Sequence, residues 1–252
     1  MNRLKYLIPN SCTAMSMLLG LASVYNSTEG HYVLAAWMIV WGVLLDKLDG
    51  TTARLFNASS KLGAELDSFA DFVSFGVATA ALFFFALREN TFVHPGWLMA
   101  TSGVYVVAVA VRLARFNVSA PPMSKYLFYG IPTTFMGGVL SLWYLIWHKY
   151  GLSQEIMSIM PFVLLIGSLA MVSNIRSPKL RLSKHLPVNI LMFILLATCY
   201  ALGILRKNPE IMFTLAMTLV SFGVIKYAIF PPKLEDFEDP EEEKEVKVQP
   251  SF

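Results

Sequence analysis

Residues 46–71 read DKLDGTTARLFNASSKLGAELDSFAD. Asp46 and Asp49 stand at i and i+3, and Asp67 and Asp71 at i and i+4. Both spacings put side chains on one face of a helix. The flanks are apolar: VLAAWMIVWGVLL at 33–45 and FVSFGVATAALFFFAL at 72–87. The acids therefore sit at adjoining ends of two apolar helices. A short turn from Phe56 to Lys61 makes these helices antiparallel neighbours, so the four carboxylates converge.

The rest of the chain has the same character. It has 252 residues, 56% hydrophobic and only 15% charged. A soluble domain usually carries roughly 25% charged residues. The apolar excess is gathered in stretches long enough to cross a bilayer, about 20 residues as helix. Eight spans are expected: 7–27, 32–53, 62–87, 96–117, 131–148, 156–174, 186–205 and 210–230. Turn-forming groups separate them, among them His94-Pro95-Gly96, Pro121-Pro122 and Asn208-Pro209. The fold class is then all-α, a polytopic membrane helix bundle. The first apolar run has no convincing small-residue cleavage site and is taken as a retained helix.

Lysine and arginine set the orientation. One set of loops holds Arg3, Lys5, Arg54, Lys61, Arg112, Arg115, Lys125, Arg176, Lys179, Arg181 and Lys184. The opposite set holds only Arg88, Lys149, Arg206 and Lys207. The first set is expected on the cytoplasmic side of a bacterial-type membrane, with both termini inside. The acidic pairs then face the cytoplasm. Residues 1–232 form the membrane domain. Residues 233–252, rich in Glu and Asp, lack the apolar content to pack and form a solvated tail. Cys12 and Cys199 have no metal or disulfide spacing and are expected as small buried hydrophobes. No nucleic-acid partner is expected.

Of the chain's acidic residues, eight lie in the tail, Glu29, Glu89, Glu155 and Glu210 sit in loops or at span ends, and Asp46, Asp49, Glu65, Asp67 and Asp71 fall within spans. An ionisable group there costs several kcal/mol on an insertion scale, about 3 for aspartate, and so usually faces a cavity or partner. Bundle-stabilising ion pairs are an alternative, but only Lys47, Arg54 and Lys61 lie nearby in sequence. Lys47 is expected to point away or reach the headgroups. Four converging carboxylates need cations, and oxygen donors favour hard divalent ions. Magnesium completes its shell with substrate phosphates, which makes this a phosphoryl-transfer site by chemical type. Gly50 opens the backbone to a phosphate, Ala53 and Gly63 allow close helix packing, and Arg54 can pair with a diphosphate. Glu65 points to a different helix face from Asp67.

The pattern D-x2-D-G-x2-A-R-x8-G-x3-D-x3-D, from Asp46 to Asp71, resembles the signature of the CDP-alcohol phosphotransferase family at every fixed position. The resemblance implies a two-metal centre, Mg²⁺ or Mn²⁺, on Asp46, Asp49, Asp67 and Asp71, with Asp71 as the base. It implies that Gly50, Ala53, Arg54 and Gly63 line the CDP-lipid site, together with Asp49. It also implies a core of six spans, so that two of the eight are additions, and it allows a homodimer. Pro9-Asn10-Ser-Cys-Thr13 resembles the family's Pro-Asn-x-x-Thr opening, which would lie near the nucleotide. The same residues also read as a proline-started helix capped by Asn10 or Thr13.

Residues 63–78, Arg112-Leu-Ala-Arg115-Phe-Asn117, Gly130-Ile-Pro132 and Met171-Val-Ser-Asn174-Ile-Arg176 resemble the CDP-diacylglycerol–serine branch of that family. Two features depart from that branch: Thr79 stands where proline is expected, and Thr133-Thr134-Phe135 is not the usual proline-containing continuation. The expected substrates are CDP-diacylglycerol and L-serine, in a bilayer of membrane lipids. Arg112 and Arg115 either bind the serine carboxylate or the diphosphate, or anchor the span at the surface. Glycerol phosphate, inositol phosphate or choline are alternative acceptors. A cation-coupled transporter is an alternative of another class, though transport has no need of the Gly50, Ala53 and Arg54 spacing.

Overall fold

The computed structural model describes residues 4–55, 61–118, 127–178 and 186–229. The acidic tail and most of the turn after α2 lie outside the described residues. The chain is helical almost throughout. In order it forms α1 (Leu4–Thr28), α2 (Tyr32–Leu55), α3 (Lys61–Asp71), a π-helical turn (Phe72–Val77), α4 (Ala78–Leu87) and α5 (Pro95–Val118). Then follow α6 (Thr133–Tyr150), the single turn α7 (Gln154–Met157), α8 (Met160–Val172), α9 (Leu186–Leu205) and α10 (Pro209–Ile229). The sequence did not announce two three-residue strands, β1 (Leu127–Tyr129) and β2 (Arg176–Pro178), which pair antiparallel with Phe128 opposite Ser177.

Local chemistry sets many of these boundaries. Gly30, at φ 82°, turns the chain between α1 and α2. α5 and α10 open on proline, whose missing N–H costs nothing in a first turn. α6 ends on Gly151 in the left-handed conformation, whose N–H returns to the carbonyls of Trp147 and His148. α1, however, runs straight through Pro9. Pro9 therefore does not start the helix, and Thr13 lies too far inside it to act as a cap.

Three helical stretches among the described residues are long and apolar enough to cross a membrane: Leu62–Leu87, Pro95–Val118 and Gln154–Val172, of 26, 24 and 19 residues. Shorter apolar stretches lie at Phe193–Leu205 and Pro209–Ile225. Large apolar side chains such as Leu18, Val107, Ile166 and Phe222 stand exposed on the helix surfaces. Such a surface suits lipid and not water. The chain is a membrane protein.

The segment that carries Asp67 and Asp71 runs through the middle of the bundle, with α1, α2, α5 and α6 around it. Ser74, Phe75 and Gly76 of the π-turn are buried. The turn is wide because the N–H of Ala78 reaches back to Val73. Neighbouring helices grip it on several sides. Ser74 donates to the Ser16 carbonyl at 2.8 Å, and Tyr105 donates to the Phe75 carbonyl at 3.0 Å. A Cβ on Gly20 would come within 2.7 Å of the Ser74 Cα, and one on Gly137 within 2.9 Å of the Phe75 Cβ. Only glycine permits helices to approach so closely.

Gly20→Ala should therefore lower the thermal midpoint of the detergent-purified protein, at a cost of about 1–3 kcal/mol from overpacking. Gly103→Ala, where nothing lies within 4 Å of the added Cβ, should leave the midpoint unchanged or raise it slightly. Equal midpoints for both variants would mean that the π-turn contact is not tight in solution.

Candidate active site

The acids of α2 and α3 meet. One carboxylate oxygen from each of Asp46, Asp49 and Asp67 lies within 4.8 Å of the other two. Asp71 follows Asp67 by one turn and closes α3 just before the π-turn. α2 and α3 thus bring three of the four expected acids together, and Asp71 lies outside that group.

Other helices supply hydrogen-bond donors. Thr13 of α1 donates to Asp49 Oδ2 at 2.7 Å. Asp49 is only 6% exposed, so this donor replaces water that the carboxylate has lost. Thr13 thus serves an acid of the cluster directly. Its partner in the Pro-Asn-x-x-Thr pattern, Asn10, is half-buried one turn earlier. Lys47 does not point away, as its position suggested. Its Nζ lies 2.9 Å from Asp46 Oδ2, while the side chain stays about half exposed. An adjacent ammonium offsets part of the cluster's negative charge.

Two residues come from α5 and α6. Thr133, the first residue of α6, is fully buried and donates to Asp71 Oδ2 at 3.0 Å. Arg112 of α5 is buried and donates through Nη1 to the Thr133 hydroxyl at 3.2 Å. Arg115 differs from Arg112. It is exposed and reaches α8, where it donates to the Val172 carbonyl and, at 2.9 Å, to Asn174 Oδ1. Arg112 faces the acids, whereas Arg115 ties α5 to the end of α8. The sequence singled out both arginines and could not separate them.

The remaining candidates are placed as follows. Gly50 and Gly63 are half-buried on α2 and α3. The side chains of Pro9, Ala53 and Arg54 lie outside the described residues. Glu65 turns from the cluster and accepts from Asn117 Nδ2 at 3.1 Å, as its different helix face required. Cys12 and Cys199 are free thiols, only half-buried, not fully buried as expected. Sequence reasoning missed Thr133 as a partner of Asp71. The available signal was its position right after Pro132, at the start of a span whose far end is extracytoplasmic on the charge pattern.

An all-oxygen donor set drawn together in an apolar bundle fits a hard divalent cation. The fit rests on the convergence of the three carboxylates, which is unfavourable without positive charge among them.

Comparison with known proteins agrees with this chemistry. Residues 6–173 match the model of the CDP-alcohol phosphatidyltransferase family. The match takes in every helix from α1 to α8 and neither α9 nor α10. A Helicobacter pylori protein named CDP-diacylglycerol–serine O-phosphatidyltransferase is 36% identical over 233 residues, 91% of this chain and 94% of that protein. A Bacillus subtilis protein of the same name is 32% identical over 187 residues, 73% of this chain and 95% of its own. A Saccharomyces cerevisiae protein, also of that name, is 47% identical over 96 residues, 38% of this chain and 33% of its own.

The two arginines should part company in stability. Arg115→Ala should lower the thermal midpoint by removing two charge-assisted hydrogen bonds between α5 and the end of α8, each worth about 1.5–3 kcal/mol. Arg115→Lys should recover little of this, because an ammonium cannot reproduce the guanidinium fork. An unchanged midpoint for Arg115→Ala would remove the structural role.

Proposed function

This chain belongs to the CDP-alcohol phosphatidyltransferase family, and from that premise we propose that it transfers the phosphatidyl group of CDP-diacylglycerol to L-serine, giving phosphatidylserine and CMP. The observation that carries the chemistry is the convergence of Asp46, Asp49 and Asp67 inside an apolar bundle. The acceptor rests on the shared name of relatives that align along most of the chain.

Asp46, Asp49, Asp67 and Asp71 would hold two divalent cations, Mg²⁺ or Mn²⁺, which supply neutralising charge to the diphosphate and to the departing CMP. Thr13 fixes the Asp49 carboxylate in this reading. Gly50, Ala53, Arg54 and Gly63, with Pro9 and Asn10, line the CDP-lipid site. Arg112 is the buried cation on the Asp71 side and takes an anionic group of substrate. Asp71 accepts the serine hydroxyl proton as that oxygen attacks the lipid-side phosphorus. The new P–O bond forms as the bond to CMP breaks, and the proton passes from Asp71 to solvent. No covalent enzyme intermediate is needed.

The eight long helical stretches serve as eight spans, with both termini and the acidic site on the cytoplasmic side. The lysine and arginine bias of the loops supports this orientation. A bacterial-type cytoplasmic membrane would then give the site access to cytosolic serine. The lipid substrate enters sideways from the inner leaflet.

Purified protein supplied with CDP-diacylglycerol and Mn²⁺ or Mg²⁺ should release CMP when L-serine is present, and EDTA should stop the release. CMP release with glycerol phosphate, inositol phosphate or choline instead would keep the site chemistry and discard serine. Metal or proton flux without nucleotide would favour a transporter. Orientation has its own test. A Ser153→Cys protein in intact cells should react with an impermeant thiol reagent from outside, above the level of the unsubstituted chain. Reaction only after permeabilisation would invert the topology.

A further inference from the structure

Asp71 and Arg112 are linked through one side chain. The Thr133 hydroxyl lies 3.0 Å from Asp71 Oδ2 and 3.2 Å from Arg112 Nη1, and Thr133 is fully buried. A hydroxyl carries one proton, and a guanidinium can only donate. Thr133 must therefore accept from Arg112, and its own proton must go to Asp71. The direction of both hydrogen bonds is fixed by chemistry.

We propose that Thr133 is a positioning residue that sets the orientation of the Asp71 carboxylate and relays the Arg112 charge to it. The inference rests on Asp71 acting as the base. With Oδ2 held by Thr133, the carboxylate plane is fixed and Oδ1 is the oxygen turned to the acceptor hydroxyl. The relay also avoids a cost. A guanidinium docked directly on a carboxylate tends to fork across both oxygens. That arrangement would occupy the oxygen needed for proton abstraction. Placing a neutral hydroxyl between them stabilises the carboxylate and keeps the guanidinium off the second carboxylate oxygen.

The surrounding fold holds Thr133 still. Pro132 precedes it with φ −60° and ψ 140°, in the extended conformation that opens α6. Threonine is β-branched and has few χ1 choices at such a position. One turn along the same helix, Gly137 packs against Phe75 in the π-turn that begins right after Asp71. The start of α6 and the end of α3 are thus coupled by the hydroxyl and by a backbone-close contact.

The test compares Thr133→Val, which keeps the shape and removes the hydroxyl, with Thr133→Ser, which keeps the hydroxyl. Thr133→Val should lose about 10- to 100-fold in kcat, the size of a lost hydrogen bond to a charged group. Its KM for CDP-diacylglycerol and its CDP-lipid binding should change little, a split that a purely structural role would not produce. Thr133→Ser should regain most of the lost kcat. Wild-type kcat in folded Thr133→Val, or a Ser variant no better than Val, would overturn the proposal. If Thr133→Val does not fold, Thr133→Cys replaces it, with similar volume and only a weak donor. Wild-type kcat in Thr133→Cys overturns the proposal equally, and a loss that Ser restores supports it. Asp71→Asn is measured alongside. Retained turnover there would remove the base itself and this inference with it. Lost turnover in Asp71→Asn beside normal turnover in Thr133→Val would remove only the role of Thr133.

Discussion

The structure is organised around a repulsion. Asp46, Asp49 and Asp67 bring carboxylate oxygens within 4.8 Å of one another. At an effective dielectric constant of about 20, two unit charges at that distance repel by about 3 kcal/mol. Among the described side chains of α2 and α3, Lys47 offsets part of this, its ammonium resting on Asp46. The compensation comes from other helices. Thr13 of α1 and Thr133 of α6 each donate to one acid, and Arg112 of α5 stands behind Thr133. Five helices converge on one patch of negative charge. A bundle that supports such a patch without a cation would retain a cost and gain nothing. With divalent ions and a diphosphate, the same arrangement becomes favourable.

The π-turn shows how the patch is held in place. An α-helix continued unbroken past Asp71 would present a different face to α1, α5 and α6. Widening one turn rotates the apolar part, Ala78–Leu87, relative to the acidic part, Lys61–Asp71. The acids can then face α2 while Phe75 and Phe83 fill the core. Such a turn strains the hydrogen-bond ladder and persists only where its surroundings fix it. Ser16, Tyr105, Gly20 and Gly137 do so from three different helices. The position of Asp71 therefore depends on contacts a full turn or more away from any reacting atom.

This explains what was legible in the sequence and what was not. Long helices could be read because membrane thickness fixes the length of an apolar run, and the observed helices lie close to the expected limits. The pairing of Asp46 with Asp49 and of Asp67 with Asp71 could be read because helical spacing alone dictates it. The meeting of Asp67 with Asp46 and Asp49 followed from the short connection between α2 and α3. Interactions between distant segments could not be read this way. Thr13 looked like a cap because Pro9 looked like a helix start, but a membrane helix can carry proline in its interior when its neighbours satisfy the freed backbone group. Lys47 was expected to point away or reach the headgroups, and its ammonium lies on Asp46. Arg112 and Arg115 have the same spacing logic. Only packing shows that one turns towards Thr133 and the other towards Asn174. The π-turn has no compositional mark at all, since Phe72–Val77 reads as ordinary apolar helix.

The last two helices follow from the same constraint. α9 and α10 lie beyond the residues that the family model matches, yet α9 is bound to the helix that carries Asp46 and Asp49. Tyr200 donates to the Leu44 carbonyl at 2.6 Å, two residues before Asp46. Trp41 donates to the Gly203 carbonyl at 2.8 Å, and Gly203 lacks the side chain that Leu44 would strike. At the opposite end, Glu210 pairs with Lys149 of α6 at 2.7 Å. α9 thus supports α2 from one side, while α1 and α6 pack against it elsewhere. A helix bearing two mutually repelling acids is pushed away from its partner helix, towards lipid. A buttress behind it resists that displacement, through the contacts of Tyr200 and Gly203 with Leu44 and Trp41.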